Sequence, residues 1–149
     1  MVVMKSNETF RSGFTNMMAF WHDEFSMAGS DQAYKELCRD QLAILVERQK
    51  AFERLVKAFR AKGANLEVKA TGSDRWCAFW GTDQSSGTFR CQIFDQEVFV
   101  GTKHEASISE LLYWCVMQGL TEPTADSVNL AVEPEWRKGI QVVENSLAA

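Results

Sequence analysis

Apolar side chains recur at helical spacing through the first 62 residues and predict two helices of unequal length. In the first, residues 8–26, they fall every three or four positions, which at 100° per residue gives one narrow stripe. The stripe consists of Phe10, Phe14, Met17, Trp21 and Phe25. Phe20 projects off this stripe, so we expect it to contact a partner or a second part of the chain.

The second helix, residues 31–62, is predicted to be long because neither Gly nor Pro interrupts it. Ser30 is a suitable N-cap, and Gly63 is placed to end the helix. About 32 residues correspond to a length of about 48 Å. One face is predominantly apolar and carries Tyr34, Leu37, Cys38, Ile44, Leu45, Phe52, Leu55, Val56 and Phe59.

After Gly63 the apolar period changes from that of a helix to two, which is typical of strands with one buried face. Four such segments are separated by short polar or Gly-containing turns. They are residues 66–70, 75–82, 88–94 and 97–102. This pattern predicts a four-stranded antiparallel meander.

Two further helices are predicted after the meander. Ser107 and Glu110 have the spacing of a capping box, which begins a helix that Gly119 closes. Residues 121–133 are predicted to be irregular or briefly extended, and Pro134 suits the first turn of a final amphipathic helix. The order α-α-β-β-β-β-α-α segregates helices from strands, so the fold class is α+β.

The chain is short enough to form a single domain, residues 1–149. We divide it into an N-terminal helical hairpin with one long helix (1–63), the antiparallel meander (64–104) and two C-terminal helices (105–149). Its 46% hydrophobic and 24% charged residues are ordinary for a globular protein and exclude a disordered chain.

Net charge and hydropathy make several classes of protein unfavourable for this sequence. The net charge of −4 disfavours a dedicated nucleic-acid-binding protein, because such proteins gain affinity by neutralising phosphates. The apolar runs are too short to span a bilayer, which predicts no membrane insertion. The first residues show no charged segment followed by an apolar one, as a secretory signal would. We therefore expect a cytoplasmic protein.

The spacing of the cysteines and histidines along the sequence gives little indication of a metal site or a catalytic site. No pair of Cys or His has the short separation of a structural zinc site, and only Cys77 and Cys91 are expected on neighbouring strands. We interpret the four cysteines as reduced and buried, with no metal and no disulfide. Cys91 and His104 form one conceivable nucleophilic pair, but no acid is placed to orient it. Gly-rich phosphate loops are absent, so we expect no cofactor and no catalytic residues.

Positive charge is concentrated in one segment. Residues 48–75 contain 8 basic and 3 acidic side chains, a net of +5. Lys50, Arg54 and Lys57 fall within about 60° on the long helix, opposite its apolar face. This basic stripe is either a solvated helix face or a docking site for an acidic partner or a nucleic-acid backbone.

Two polar residues interrupt the apolar face of the long helix. Gln41 and Arg48 lie seven residues apart and so occupy equivalent positions along the helix. A buried, unpaired guanidinium is strongly unfavourable, so Arg48 pairs with Asp23 or Glu24 of the first helix, extends past that helix into solvent, or lies at a contact with a second copy. We predict a homodimer with Gln41 and Arg48 near the centre of its seam.

These observations favour a non-enzymatic protein-binding module acting as a regulatory, inhibitory or chaperone-like accessory protein. The 5 Trp and 10 Phe support this prediction, because aromatic side chains are favoured at interface centres. The alternative is a small-ligand-binding protein or minor enzyme with an aromatic pocket between the sheet and the long helix. That pocket would be lined by Trp76, Trp80, Phe89, Arg90 and Phe99.

Overall fold

Helices and strands are segregated along the chain in the computed structural model, which describes residues 6–83 and 88–124. The described elements are α1 (Asn7–Met27), α2 (Gln32–Lys62), a short 3₁₀ turn (Gly63–Asn65), β1 (Glu67–Ala70), β2 (Arg75–Asp83), β3 (Thr88–Asp95), β4 (Val98–Glu105), α3 (Ile108–Met117) and β5 (Leu120–Pro123). The α+β class, the helical hairpin and the antiparallel sheet are thereby confirmed.

The two hairpin helices have the predicted extent, with one difference at the start of α2. Asp31, not Ser30, is the N-cap, and its carboxylate accepts a hydrogen bond from the backbone N–H of Tyr34. Gly63 ends α2 with φ of +56°, a left-handed conformation that glycine adopts without a Cβ clash. The 31 residues of α2 correspond to about 46 Å.

The sheet has five strands in the order β4-β3-β2-β1-β5, so the predicted four-stranded meander is wrong in its strand count. The first four strands form the meander, and β5 adds itself antiparallel to the free edge of β1. Residues 121–123, predicted to be irregular or briefly extended, belong to this strand. A four-residue strand is too short for the alternation of apolar and polar residues to distinguish it from a loop. β5 forms because the edge of β1 offers unpaired backbone groups to which it can hydrogen-bond.

The C-terminal part also differs from the two helices predicted. Among the described residues one helix, α3, follows the meander, and it leads into β5 rather than into another helix. Ser107 caps α3 as expected, accepting from the backbone N–H of Glu110 at 3.2 Å. The final helix predicted from Pro134 lies outside the described residues.

The core lies between the C-terminal half of α2, the inner face of the sheet and α3. Phe52 and Leu55 of α2 are fully buried there with Phe79 of β2, Leu111 of α3 and Leu120 of β5. Burying these large apolar side chains from four elements supplies the main favourable free energy of this fold. The core thus fixes the base of the hairpin against the sheet.

An ion pair also ties the two hairpin helices together. Arg11 of α1 donates to both carboxylate oxygens of Glu53 on α2, at 2.5 and 3.0 Å, and it also contacts Glu8. The hydrogen bonds from Arg11 lower the pKa of Glu53. Because the folded pKa lies below the unfolded one, this pair stabilises the fold above the unfolded pKa of about 4.3, and the stabilisation disappears as pH falls through the folded pKa.

Replacing Glu53 with Gln should therefore make thermal stability less dependent on pH at acidic pH. We expect the wild-type protein to lose more thermal stability than Glu53→Gln between about pH 5 and pH 3. The effect is small because the Glu53 side chain is partly exposed. Melting temperatures across that range, with Glu47→Gln as the control at an exposed carboxylate, measure it. Parallel profiles for Glu53→Gln and the wild type would contradict the assignment.

Candidate functional site

The hairpin projects beyond the core as an arm. Residues 51–56 of α2 include four buried side chains, whereas between residues 32 and 48 only Cys38 and Leu45 are buried. This N-terminal half packs on α1, where the Tyr34 hydroxyl donates to Glu24 at 2.7 Å. We use "arm" for residues 17–48, the part of the hairpin in which few side chains are buried.

One face of the arm is apolar and uncovered. Met17, Phe20 and Met27 of α1 are 47%, 53% and 74% exposed, and Leu37 and Ile44 of α2 are 44% and 42% exposed. On an ideal helical wheel, Leu37 and Ile44 lie about 100° from the buried positions of α2 within the arm, and the three exposed residues of α1 lie about 50° to 130° from the mean direction of Phe14 and Trp21, in the same sense of rotation. Because α1 and α2 are antiparallel, both sets point to the same side. We call these five residues the uncovered face.

The uncovered face continues a stripe that the core covers further along α2. Side chains at 37, 41, 44, 48, 51 and 55 are spaced alternately by four and three residues, the spacing of a helix-packing seam. Ala51 and Leu55, at its C-terminal end, are buried. Leu37 and Ile44, at its N-terminal end, are not. The seam is therefore buried by the core at the base of the hairpin and exposed on the arm.

Gln41 and Arg48 lie on this seam, as the sequence places them, and both are half-buried. Within the described part of the chain, no hydrogen bond or ion pair engages Arg48, whereas Glu24 is occupied by Tyr34. The intramolecular pairing with Asp23 or Glu24 is thus absent there. Arg48 carries its charge along the edge of an apolar face.

The basic stripe is partly engaged within the molecule. Lys50 lies 3.7 Å from Glu47, and Arg54 donates to Glu122 at 3.1 Å and to the carbonyl of Thr121. Arg54 thereby joins α2 to β5, and Lys57 is exposed. Docking of an acidic partner on this stripe stays a prediction.

The aromatic residues considered for a ligand pocket are distributed over two faces of the sheet. Trp76 stacks on Phe94 at 4.3 Å between ring centroids, and Phe99 contacts Phe94 edge-on at 5.7 Å. These rings lie on the outer face, because Cys77, the neighbour of Trp76, points into the core. Phe89 packs against the core cluster on the inner face.

The remaining candidates do not complete such a pocket among the described side chains. Arg90 lies opposite His104 in the β3–β4 ladder, and the side chain of Trp80 lies outside the described part. A groove of about 420 Å³ does open at the end of β1, beside Trp76 and Arg75. Arg75, however, is held by both carboxylate oxygens of Asp95, at 2.7 and 2.9 Å, which reduces its capacity to bind an anion.

Three of the four cysteines meet in the core. The sulfur atoms of Cys77 on β2, Cys91 on β3 and Cys115 on α3 all lie within 4.8 Å of one another, and all three residues are fully buried. The sulfurs of Cys77 and Cys115 are 3.9 Å apart. Spacing in sequence cannot reveal this cluster, because it is created by α3 folding over two strands.

Cys91 and His104 are not brought together as a nucleophilic pair. Cys91 faces the core opposite Lys103, whereas His104, one residue further, alternates to the other face and is exposed. The His104 ring lies 3.4 Å from the hydroxyl of Thr88. His104 is therefore not placed to act as a base toward Cys91.

No known protein family, curated protein or solved structure is detectably similar to this chain. Among the described residues, no helix has the length and apolar content needed to cross a bilayer. The two hairpin helices are long enough, but their outward faces carry too many polar and charged side chains.

Proposed function

We propose that this chain is a non-enzymatic protein-binding module whose arm associates with a second copy of the same chain. The uncovered face carries this proposal: five large apolar side chains lie together on a rigid helical hairpin, next to the buried end of the same seam. Contiguous exposed apolar surface on a soluble domain is characteristic of an interaction site. A regulatory, inhibitory or chaperone-like accessory role fits a module of this kind.

A second copy fits the uncovered face because the seam is helical and self-complementary. A two-fold contact uses the same patch on both chains, so a stripe with alternating spacings of three and four residues can pack against itself. Ile44 lies midway along its exposed part and is the natural centre. In an antiparallel contact centred there, Arg48 of one copy lies level with Asp40 of the other, four residues on either side of Ile44.

The charges of the arm support this register. Asp40 is exposed, and within the described residues neither it nor Arg48 has an ion-pair partner. Two equivalent Arg48–Asp40 contacts would flank the apolar centre and select this register over others. Polar seam residues that fix orientation at some loss of stability are common in helix pairs.

The ligand-binding alternative has less support. Its candidate side chains lie on opposite faces of the sheet, and the arginine beside the groove is engaged by Asp95. We also propose a cytoplasmic location, which the four free cysteines support because reduced thiols persist in that compartment.

A charge-swap experiment tests the proposed contact. Analytical ultracentrifugation of the wild-type chain at tens of micromolar should show a dimer. Arg48→Asp and Asp40→Arg should each weaken dimerisation about tenfold or more, because each replaces two attractive contacts with two repulsive ones. The double variant should recover most of the wild-type affinity.

Thermal unfolding provides the control, because Asp40 is exposed, Arg48 is half-buried, and neither has an ion-pair partner in the described part of the monomer. All three variants should melt within a few degrees of the wild type when measured at concentrations where each is monomeric. A wild-type chain that stays monomeric at tens of micromolar would contradict the self-association proposal. A double variant as weak as the singles would place the centre of the contact away from Ile44.

A further inference from the structure

The buried cluster of Cys77, Cys91 and Cys115 is a set of soft donors with no assigned role. Three sulfur atoms from three different elements converge in the core, each within 4.8 Å of the other two. We propose that these three cysteines bind one monovalent copper ion, Cu(I), in three-coordinate geometry. This proposal is independent of the self-association of the arm, which lies on a different part of the molecule.

The separations between the sulfurs are close to those of a tris-thiolate metal site. With a metal–thiolate bond of about 2.3 Å, three sulfurs in a plane around one ion are about 4.0 Å apart. Cys77 and Cys115 are already 3.9 Å apart, and the longest separation in the cluster is at most 4.8 Å. Small side-chain rotations would bring all three sulfurs into bonding distance.

The coordination number favours Cu(I) over Zn(II). Zinc in structural sites almost always takes four ligands, whereas among the described residues no further His, Cys, Asp or Glu joins this group. All three residues are 0% exposed, so water is poorly placed to act as a fourth ligand. Thiolate ligands select soft ions such as Cu(I), and three sulfurs in a dry site complete its preferred coordination.

Binding is an exchange of protons for metal without electron transfer. Copper enters as Cu(I), all three cysteines bind as thiolates, and each S–H proton is released to solvent as its Cu–S bond forms. Lys103 pairs with Cys91 across the β3–β4 ladder, and its ammonium lies 5.7 Å from the Trp114 ring, next to Cys115 in sequence. The same ammonium also pairs with a carboxylate oxygen of Glu105 at 3.2 Å.

Anaerobic titration of the reduced, full-length chain with Cu(I), against a chromophoric Cu(I) chelator, tests the proposal. We expect one Cu(I) per chain. Cys77→Ala, Cys91→Ala and Cys115→Ala should each weaken binding by at least about 100-fold, since loss of even an outer-shell partner commonly lowers metal affinity 10- to 100-fold. Cys38→Ala is the matched control, because Cys38 is equally buried but lies on α2 outside the cluster. Its copper affinity should equal that of the wild type.

A measurement on the wild-type chain removes dependence on the folding of the variants. X-ray absorption of the copper-loaded protein should show three sulfur neighbours at about 2.3 Å and no oxygen or nitrogen neighbour. Absence of stoichiometric Cu(I) binding overturns the proposal and leaves the cysteines as packing residues. Tighter binding of Zn(II) than of Cu(I) overturns it as well, as does equal loss of affinity in Cys38→Ala.

Discussion

Replacing Phe52 with Ala is expected to lower the free energy of unfolding by about 3–5 kcal/mol, the largest effect of any single truncation we consider. Phe52 is fully buried where the hairpin meets the core. Its ring contacts those of Phe10 and Phe14 at 5.7 and 6.0 Å between centroids, so truncation leaves a cavity bordered by α1. The change removes both apolar burial and the aromatic contacts that hold the two helices at their base.

Chemical denaturation followed by circular dichroism measures this loss. Phe20→Ala is the matched control, because it removes the same ring from a position on the uncovered face that is 53% exposed. Its effect on the unfolding of the monomer should stay within about 0.5 kcal/mol. A loss below about 1 kcal/mol for Phe52→Ala would mean that α1 is not packed on Phe52 as described.

The hairpin could be predicted from sequence because its signals are local. Capping residues, uninterrupted helix formers and Gly63 mark the ends of α2, and the change of apolar period marks the start of the sheet. Each of these signals lies within a few residues of the feature it specifies. Their agreement over long segments explains why the helices and the first four strands lie where the pattern places them.

The fifth strand and the cysteine cluster escaped prediction because both arise from distant contacts. β5 is four residues long and pairs with β1, some 50 residues earlier in the chain. Cys115 meets Cys77 only because α3 packs across the inner face of the sheet. The inward direction of Cys77, Cys91 and Cys115 follows from periodicity, but their convergence depends on tertiary packing.

The long helix α2 shows the same limit of prediction from sequence at the proposed functional site. Periodicity assigns Leu37, Ile44, Leu55 and Phe52 to one apolar face, yet the structure buries only the last two. The difference depends on where the sheet and α3 end along α2, which helical periodicity does not encode. Apolar residues on the part of α2 beyond the core therefore stay exposed, and the proposed self-association is what would cover them.

Replacing Ile44 with Lys should abolish the dimer at tens of micromolar while leaving the fold intact. Ile44 is 42% exposed on the uncovered face and lies at the proposed two-fold centre, so each dimer contains the change twice. Two ammonium groups would then face each other across an apolar contact, with loss of apolar burial as well as charge repulsion. We expect the dissociation constant to rise by about 100-fold or more.

Ala43→Lys is the control that distinguishes disruption of the contact at the uncovered face from the effect of added positive charge. Ala43 is the preceding residue, exposed on the side of α2 that points away from both α1 and the uncovered face, and its replacement adds the same charge to the same helix. Its dimerisation should match that of the wild type, and the melting temperatures of the monomeric forms of both variants should stay close to the wild-type value. Equal weakening by the two variants would show that net charge, rather than the uncovered face, controls association. A dimer that tolerates Ile44→Lys would place its contact on another surface of the chain.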